Sequence, residues 1–539
     1  MVKVIKKITS VILLSLILTS CNQITETTKP SKTEEQVYYK NPFVPIENGL
    51  PSMELNKTNY KLNEQINVKV NGASNSDYVA IFDLESEPCA SVPYKKIKVN
   101  GKEEISFTLS ELELSSGDYA ICLYENKTFH LLDRIEFQID DEDINDYKIT
   151  SATSIIEKTK KKTIFKVNII PSTDKTLTYS GYWSKDGKRL SEYTSLFRIK
   201  KGNALNGFDV TFNENVIMPD HANEIEICVT EGKSTSYYLK MNDELKIPQS
   251  KYLYNFQVLT DIHANPDSRY GHWNSHFYRA LLDIKCLSGN TSGIFTVGDN
   301  TDMGSTTHYD YLFSTIEKVF GKDSPNFYYT VGNHDYMYSS ESVGGFDRAI
   351  ELFKSSTGME NSYYSIELNN SKYIFLSSDE KTVEGAMKDT QLNWFKEQLS
   401  TLDKDKFAFI FLHQPLKDTT SGTLPGQNWS GMANVGEEIK TLLKDYPNVL
   451  LFTGHTHYEL ESNKSANLGH GENANYINNA SVAYLWSNTY EETVGGQCNF
   501  IEVYEDYILI KGRDLFEGKW VSRRLLKKSH SQFEKKNHD

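Results

Sequence analysis

The sequence feature that most constrains the fold is the stretch of residues 327–335, which reads Phe-Tyr-Tyr-Thr-Val-Gly-Asn-His-Asp. Its aromatic and β-branched start is typical of a buried strand, and Gly332 marks the end of that strand. An amide, an imidazole and a carboxylate follow at once, in Asn333, His334 and Asp335. Because reactive groups of α/β proteins gather at the carboxyl ends of parallel strands, this stretch predicts an active site at one sheet edge.

From residue 251 onward, strand-like runs alternate with helical segments of about 10–15 residues, which is typical of βαβ units. Five of these runs end in polar residues, namely Asp261 with His263, Asp299, Asn333 with His334, His413, and His455 with His457. Asp261 and His263 are two residues apart, as are His455 and His457, so an extended backbone would point both side chains of each pair the same way. Imidazoles, carboxylates and an amide oxygen are ligands for Zn, Mn and Fe. Burying five such sets without a shared partner would be costly, which predicts a metal centre.

The N-terminal half shows short alternating runs separated by polar turns. Residues 52–142 and 146–248 each predict an all-β sandwich of the immunoglobulin or fibronectin kind, with a hairpin turn at Asp186-Gly187 in the second. We interpret these sandwiches as spacers or orienting modules, and contact with a cell wall or glycan is an open alternative. Cys89 and Cys122 fall in the first sandwich and are either disulfide partners or two small buried hydrophobes.

The first residues carry a targeting signal. A basic start with Lys3, Lys6 and Lys7 precedes an apolar run over residues 8–18 and then Cys21, which is typical of a secretion signal. The order resembles the lipobox of bacterial lipoproteins, and the resemblance implies a signal peptide of residues 1–20, a diacylglycerol on Cys21 and anchoring at the outer face of the bacterial membrane. The alternative is an ordinary signal peptide. Residues 21–51 predict a flexible tether, and residues 527–539 a disordered tail.

The charge balance limits the class of partner. The formal net charge is −14, and no long basic run occurs beyond the first residues, so nucleic acid is not expected as a partner. A small phosphorylated substrate remains compatible with this charge, because bound cations reverse the local field.

The polar sets occur in the order and spacing of a known superfamily. The motifs are Asp261-x-His263, Gly298-Asp299-x-x-Asp302, Gly332-Asn333-His334-Asp335, His413 and Gly454-His455-x-His457. Together they make residues 251–520 resemble the calcineurin-like metallophosphoesterases. The resemblance implies a four-layer α/β/β/α sandwich that binds two divalent or trivalent metal ions, of Mn, Fe or Zn. Residue 302 is Asp where the purple acid phosphatases have a ligand tyrosine, so we expect no tyrosinate-iron centre.

The resemblance also implies a role for each residue of these motifs. Asp261, His263 and His457 would hold the first metal, Asp299 would bridge both, and Asn333, His413 and His455 would hold the second. His334 would be a catalytic residue that binds no metal, oriented by Asp335, while Asp302 would support the site from behind the ligands.

Phosphate-ester hydrolysis fits this site. Two metals about 3.5–4 Å apart clamp the attacking and leaving oxygens and supply a bridging hydroxide, and His334 would protonate the leaving group. We therefore predict an enzyme that hydrolyses small phosphomonoesters or phosphodiesters, with a substrate rim at Arg269, Tyr270, His272 and His308. The alternatives are an adhesion or binding lipoprotein with an inactive phosphoesterase domain, and a nucleotidase or phosphoprotein phosphatase of the same superfamily.

Overall fold

In the computed structural model, three strand-rich domains follow one another along the chain. The structure describes residues 39–40, 51–61, 64–83, 93–112, 114, 117–124, 131–140, 149–158, 163–190, 192–212, 217–231, 233–241, 245–337, 345–427, 429, 431–462, 464–469, 471–487, 492–493 and 495–529. The predicted signal peptide with Cys21, Cys89, and residues 530–539 of the predicted tail lie outside these ranges.

The first domain is a sandwich of two sheets with strand orders β1-β2-β4-β7 and β3-β9-β8-β5-β6. Its strands are β1 (Tyr39–Lys40), β2 (Ser52–Leu55), β3 (Asn59–Lys61), β4 (Gln65–Asn71), β5 (Tyr78–Asp83), β6 (Lys95–Lys98), β7 (Glu104–Thr108), β8 (Gly117–Tyr124) and β9 (Leu131–Asp140). Strand β4 shows the reason for the fold, because Ile66, Val68 and Val70 alternate inward between polar residues.

Two details of this domain bear on the sequence predictions. Tyr39–Lys40 pairs antiparallel with β2, with Tyr39 opposite Leu55, so part of the segment expected to be a flexible tether forms an edge strand. Cys122 is buried in the sandwich.

The second domain is also a sandwich, with sheets β10-β11-β15 and β13-β12-β16-β17, the latter extended by β14. Its strands are β10 (Ile149–Lys158), β11 (Thr163–Pro171), β12 (Leu177–Lys185), β13 (Lys188–Arg189), β14 (Phe197–Lys201), β15 (Phe208–Thr211), β16 (Glu224–Glu231) and β17 (Lys233–Lys240). The hairpin predicted at Asp186-Gly187 is present, since Lys185 pairs with Lys188 across it and both turn residues have positive φ.

The third domain holds two six-stranded sheets, β20-β19-β18-β29-β30-β31 and β21-β22-β23-β24-β26-β25. Its strands are β18 (Tyr252–Leu259), β19 (Ile294–Thr296), β20 (Phe327–Tyr328), β21 (Tyr364–Leu368), β22 (Ser371–Phe375), β23 (Ala408–Phe411), β24 (Val449–Thr453), β25 (Ala466–Asn467), β26 (Asn475–Asn478), β27 (Leu485–Trp486), β28 (Glu492–Thr493), β29 (Gln497–Tyr504), β30 (Tyr507–Asp514) and β31 (Lys519–Lys527). Its helices are α1 (Gly271–Leu287), α2 (Thr306–Phe320), α3 (Asn333–Met337), α4 (Phe346–Thr357), α5 (Asp389–Ser400) and α6 (Gly436–Leu443).

The two sheets pack face to face between layers of helices. Phe256 and Phe295 of the first sheet meet Phe409 and Phe452 of the second in one aromatic core. Helices α5 and α6 cover the outer face of the second sheet, while α1, α2 and α4 cover the first. The predicted architecture, two all-β sandwiches followed by an α/β/β/α sandwich, is confirmed.

The domains are joined by buried contacts rather than by linkers alone. The helix layer of the third domain shares a continuous apolar core with the first sandwich, and Phe516 inserts among Ala80, Phe82 and Ala120 of that sandwich. Arg279 of α1 donates to the carbonyl oxygen of Leu132 at 2.8 Å. Residues 38–539 accordingly form one compact unit.

Within the part of the chain that the structure describes, no helix is both long and apolar enough to cross a membrane.

Candidate metal centre

The candidate site lies where the carboxyl ends of the two sheets meet. In the first sheet β18, β19 and β20 run parallel, and in the second β22, β23, β24 and β26 do so. The polar residues that follow five of these strands therefore point toward one region. They are Asp261 and His263 after β18, Asp299 after β19, Asn333 after β20, His413 after β23, and His455 and His457 after β24.

One end of the site gathers Asp261, His263 and His457, whose nearest donor atoms all lie within 4.8 Å of one another. The Nε2 atom of His457 is 3.0 Å from Oδ1 of Asp261 and 3.3 Å from Nε2 of His263. Two imidazole nitrogens at that separation, both beside a buried carboxylate, match the three ligands of a single cation.

The other end gathers Asp299, His413 and His455 in the same way. The Nε2 atom of His413 is 3.2 Å from Oδ2 of Asp299 and 3.1 Å from the side-chain oxygen of Asn333. Asp299 also lies 3.8 Å from Nε2 of His263 at the first end. The structure thus brings together all the candidate ligands predicted from the motifs, with Asp299 between the two ends.

The backbone at these ligands differs from the expected extended form. Asp261 and His263 have φ of 49° and 46°, and His455 and His457 have φ of 69° and 56°. All four are left-handed, as is Asp299 with φ of 48°. The prediction of an extended backbone at these residues was therefore wrong, although their side chains do converge. Left-handed conformations of residues other than glycine cost about 1 kcal/mol each and concentrate at functional sites.

The motif glycines mark where one ligand loop approaches another. A Cβ on Gly298 would lie 2.5 Å from Nδ1 of His413, and one on Gly454 would lie 2.5 Å from Oδ2 of Asp261. A Cβ on Gly332 would lie 2.0 Å from the backbone nitrogen of Asp299. Only glycine leaves room for the ligand loops at these three points.

Buried charges at the site shift one another's pKa values. Burial opposes ionisation of Asp261, but His457 and His413 lower its pKa to about 2. Burial also opposes protonation of His413, yet Asp299 and Asp261 raise its pKa to about 9. Burial, followed by the charge of His413, lowers the pKa of His455 to about 3. Two buried carboxylates therefore draw positive charge into the site.

The residues present fit metal ions. The Nε2 atom of His455 is buried and has no hydrogen-bond partner among the described residues, although neutral imidazole nitrogen is a good metal donor. The opposite nitrogens of two ligands are fixed by backbone carbonyls, His413 Nδ1 by Val297 at 2.7 Å and His457 Nδ1 by Tyr484 at 3.2 Å. Such contacts orient the free nitrogen toward a cation.

His334 contacts Asp302 rather than Asp335, the partner predicted from the sequence. Its Nδ1 atom lies 2.9 Å from the carbonyl oxygen of Asp302 and 3.4 Å from the Asp302 carboxylate. Although burial disfavours the charged ring, Asp299 and Asp302 raise the pKa of His334 to about 9. Asp302, which also lies 3.4 Å from Nδ1 of His263, is thus the residue that orients His334.

Asp335 has a different role from the one predicted. Its carboxylate accepts hydrogen bonds from Gly332, Asn300, Thr301 and Tyr309, and none of these donors is His334. The reason is that His334 and Asp335 are consecutive in helix α3, where successive side chains diverge by about 100°. Asp335 braces the two loops that carry Asp299 and Asn333.

The predicted rim residues separate into two groups. Tyr270 lies 4.5 Å from Trp273 between ring centroids, and His272 lies 5.8 Å from the same indole. These two join an aromatic cluster beside the ligand His263. Arg269 instead extends into solvent and pairs with Asp267, and Nδ1 of His308 meets Ser305 at the start of α2.

Two aromatic residues near the ligands were missed from the sequence. The ring of Tyr484 is 4.3 Å from that of His457, and the ring of Trp429 is 5.6 Å from that of His455 at 79°. Both lie on loops after parallel strands, Trp429 following β23 and Tyr484 following β26. An isolated aromatic residue in such a loop is the only signal that could have indicated them.

Comparison with known proteins found one matching family model and several solved structures of low sequence identity. Residues 254–459 match the family model of the calcineurin-like phosphoesterases, and no curated protein matches the chain. GAP50 of Plasmodium, described as an anchor in the inner membrane complex, is 16% identical over 52% of this chain and 91% of its own, with a TM-score of 0.35. A conserved uncharacterized Streptococcus pneumoniae protein, described as a predicted phosphoesterase, is 10% identical over 52% and 99%, with a TM-score of 0.23. Vacuolar protein sorting 29 of Cryptosporidium parvum is 10% identical over 51% and 100%, with a TM-score of 0.26.

Proposed function

We propose that this chain hydrolyses phosphomonoesters or phosphodiesters with the help of two bound metal ions, because residues 254–459 match the family model of the calcineurin-like phosphoesterases. The observation that carries the proposal is the overlap of three donor groups at the strand ends, Asp261 with His263 and His457, His263 with Asp299 and His334, and Asp299 with His413 and His455. A site for one structural cation would need only one of these groups.

In this proposal two cations would bind at opposite ends of the cluster. Asp261, His263 and His457 would hold one, Asn333, His413 and His455 the other, and Asp299 would contact both. When bound, two such cations supply positive charge for the phosphoryl oxygens and activate the attacking water.

The remaining steps belong to side chains of this protein. His334 lies beside His263, with ring centroids 4.5 Å apart, and its backbone amide donates to Asp299 at 2.8 Å. The carbonyl oxygen of Asp302 lies 2.9 Å from Nδ1 of His334. A protonated His334 would give its Nε2 proton to the departing oxygen, and Asp302 would keep the ring in position during the transfer.

The proposal extends to location. The lipobox-like sequence before Cys21 supports a lipid anchor on the outer face of a bacterial membrane. Radiolabelled palmitate should enter the wild-type protein but not Cys21→Ser when both are produced in a bacterial host, and equal labelling would refute the anchor. Contact of the sandwiches with a cell wall or glycan stays a prediction.

The experiment that tests the enzymatic proposal combines metal analysis with two chromogenic substrates. Wild-type protein should contain about two metal ions and hydrolyse p-nitrophenyl phosphate or bis(p-nitrophenyl) phosphate. Asp299→Asn should lose both metal and activity, because the shared ligand loses its charge. His334→Asn should keep its metal while turnover falls by about 10²–10⁴.

His221→Asn is the matched control, since His221 pairs with Glu192 in the second sandwich and should change neither readout. Metal loss in His334→Asn would overturn the role given to that histidine. A wild-type protein that binds its metals yet hydrolyses neither ester would favour the binding-protein alternative.

A further inference from the structure

Half-buried aromatic rings flank both ends of the ligand cluster. At the first end the ring of Tyr484 lies 4.3 Å from His457 and 5.9 Å from His263. Trp273 stacks on Tyr484 with centroids 5.1 Å apart and an interplanar angle of 27°. We call Trp273 and Tyr484 the first wall. Both side chains remain partly exposed beside the ligands, so they can contact a bound molecule.

At the other end, Trp429 forms a second wall. Its indole lies edge-on to the ring of His455 and also lines a cavity of about 630 Å³ with Leu424, Pro425 and Met432. Earlier in the same loop, Ser421 and Gly422 pack against the turn between His455 and His457, because Ser421 accepts a hydrogen bond from Thr456 at 3.2 Å and a Cβ on Gly422 would lie 2.5 Å from Cβ of Thr456. Trp429 therefore lies between the ring of His455 and a cavity with a mixed polar and apolar lining.

The position of His334 distinguishes the two walls by role. His334 lies beside His263, which belongs to the end that carries the first wall. A proton donated from His334 would reach an oxygen on that side. The leaving group thus belongs on Trp273 and Tyr484, and the substituent that stays on phosphorus belongs on Trp429.

The charged residues of the cavity beside Trp429 limit which substituents it can accept. Its charged lining residues are Glu384, Lys417, Asp418 and Glu437, and Lys440 pairs with Glu437, so the acidic groups outnumber the basic ones by one. A further phosphate or carboxylate would be repelled there, whereas a neutral or cationic group would be accepted.

We propose that the substrate is a phosphodiester with one organic substituent on each wall, and that the substituent on the Trp429 side is neutral or cationic. A phosphomonoester has a single substituent and would leave one wall unused. The inference rests on the proposed hydrolytic function and narrows it to a substrate class.

Hydrolysis of such a diester forms one phosphorus–oxygen bond and breaks another. Water adds its oxygen to phosphorus and releases one proton to solvent. The bond from phosphorus to the oxygen on the first-wall side breaks, and that oxygen keeps the electron pair and takes a proton from His334. The products are an alcohol or phenol and a phosphomonoester whose substituent was held by Trp429.

Three p-nitrophenyl esters test the assignment with the metal-loaded full chain. Bis(p-nitrophenyl) phosphate can fill both walls, methyl p-nitrophenyl phosphate only the first, and p-nitrophenyl phosphate is the monoester. Trp429→Ala should lower kcat/KM about tenfold for the bis-ester, as expected for loss of one stacked ring, and leave the methyl ester within about twofold. Trp273→Ala should lower kcat/KM for both diesters, because both place their leaving group on the first wall.

Controls separate stacking from damage to the fold. Trp429→Phe keeps a ring and should retain most of the bis-ester activity. Trp394→Ala, at a half-buried tryptophan of helix α5 that contacts Tyr363, should alter none of the ratios between substrates. Equal loss of bis-ester and methyl-ester activity in Trp429→Ala, or no loss in either, would overturn the second wall.

The charge assignment has its own comparison. The choline ester of p-nitrophenyl phosphate should exceed its 2-carboxyethyl ester in kcat/KM by at least about threefold, and the gap should shrink at high salt. Equal rates would overturn the charge assignment.

Relative rates on the three esters distinguish a wrong diester assignment from a wrong assignment of hydrolytic function. If the monoester is the best of the three substrates, hydrolysis stands and the diester assignment falls. If metal-loaded protein hydrolyses none of them, the proposed function falls and the substrate assignment falls with it.

Discussion

Replacing Gly332 by alanine tests whether close backbone approach organises the metal centre. A Cβ at this position would lie 2.0 Å from the backbone nitrogen of Asp299 and 2.2 Å from its Oδ1, at least 1.2 Å closer than ordinary contact at 3.4 Å. Gly332 does not have positive φ, so the obstacle is steric overlap rather than conformation. The carboxylate cannot swing away easily, because the amide of His334 donates to it at 2.8 Å.

The expected effect follows from that overlap. Overpacking of this kind costs about 1–3 kcal/mol, and ligands must stay within about 0.5 Å of their working positions. The Asp299 and Asn333 loops have to separate by more than that, so we expect metal affinity and activity each to fall at least about tenfold. Bound metal measured by mass spectrometry, thermal unfolding and ester hydrolysis should all change together.

Gly436→Ala provides the matched control. A Cβ there would meet only Leu416, at 3.9 Å, and Gly436 begins helix α6, where alanine has the higher helix propensity. This variant should be as stable as wild type or more so, with unchanged metal content. The reasoning would be refuted if Gly332→Ala bound metal as tightly as Gly436→Ala.

Three further predictions concern stability. Arg279→Ala should destabilise the protein by about 3–5 kcal/mol, because Arg279 is buried with Asp283 at 3.6 Å and Asp133 at 3.9 Å. Arg269→Ala, at an exposed pair, should leave the unfolding midpoint unchanged; equal effects in a denaturant titration would contradict this. Removing metal with a chelator should lower Tm, since each site filled at about 1,000 times its Kd adds about 4 kcal/mol, and Asp299→Asn should respond less; a Tm of wild type that ignores the chelator would count against the metal centre. Burial and then Asp514 raise the pKa of Glu517 from 4.5 to about 7, so the folded state holds this proton more tightly than the unfolded chain, and the associated stability is present below pH 4.5 and lost as pH rises to 7. Glu517→Gln should flatten the fall of Tm across that window, and an unchanged slope would show that Glu517 does not carry it.

Convergence of the ligands within each sheet could be predicted from topology. Once the runs before Asp261, Asp299, Asn333, His413 and His455 are recognised as parallel strands, the strand ends of one sheet must share an edge. The meeting of the two edges follows from the packing of the two sheets. Ordered motifs then identified the residues without any knowledge of side-chain positions.

What could not be predicted depends on contacts between distant segments. The left-handed backbone at Asp261 and His263 is imposed by neighbouring loops, since neither residue type specifies it. The exchange of roles between Asp302 and Asp335 has the same origin, because adjacency in sequence says little about adjacency of side chains once a helix begins at Asn333. Trp429 and Tyr484 reach the site from loops, and no periodicity points to them.

Phe516 carries a consequence for how this protein can be cut. Its ring sits in the turn between β30 and β31, yet it is buried among residues of the first sandwich, and the core beneath α1 continues into that sandwich as well. A fragment starting at residue 251 would expose both surfaces to water. A protease that cleaved the chain near residue 248 would leave two pieces still held together by their shared core. The smallest continuous fragment that keeps these apolar surfaces of the third domain buried from solvent therefore contains all three domains.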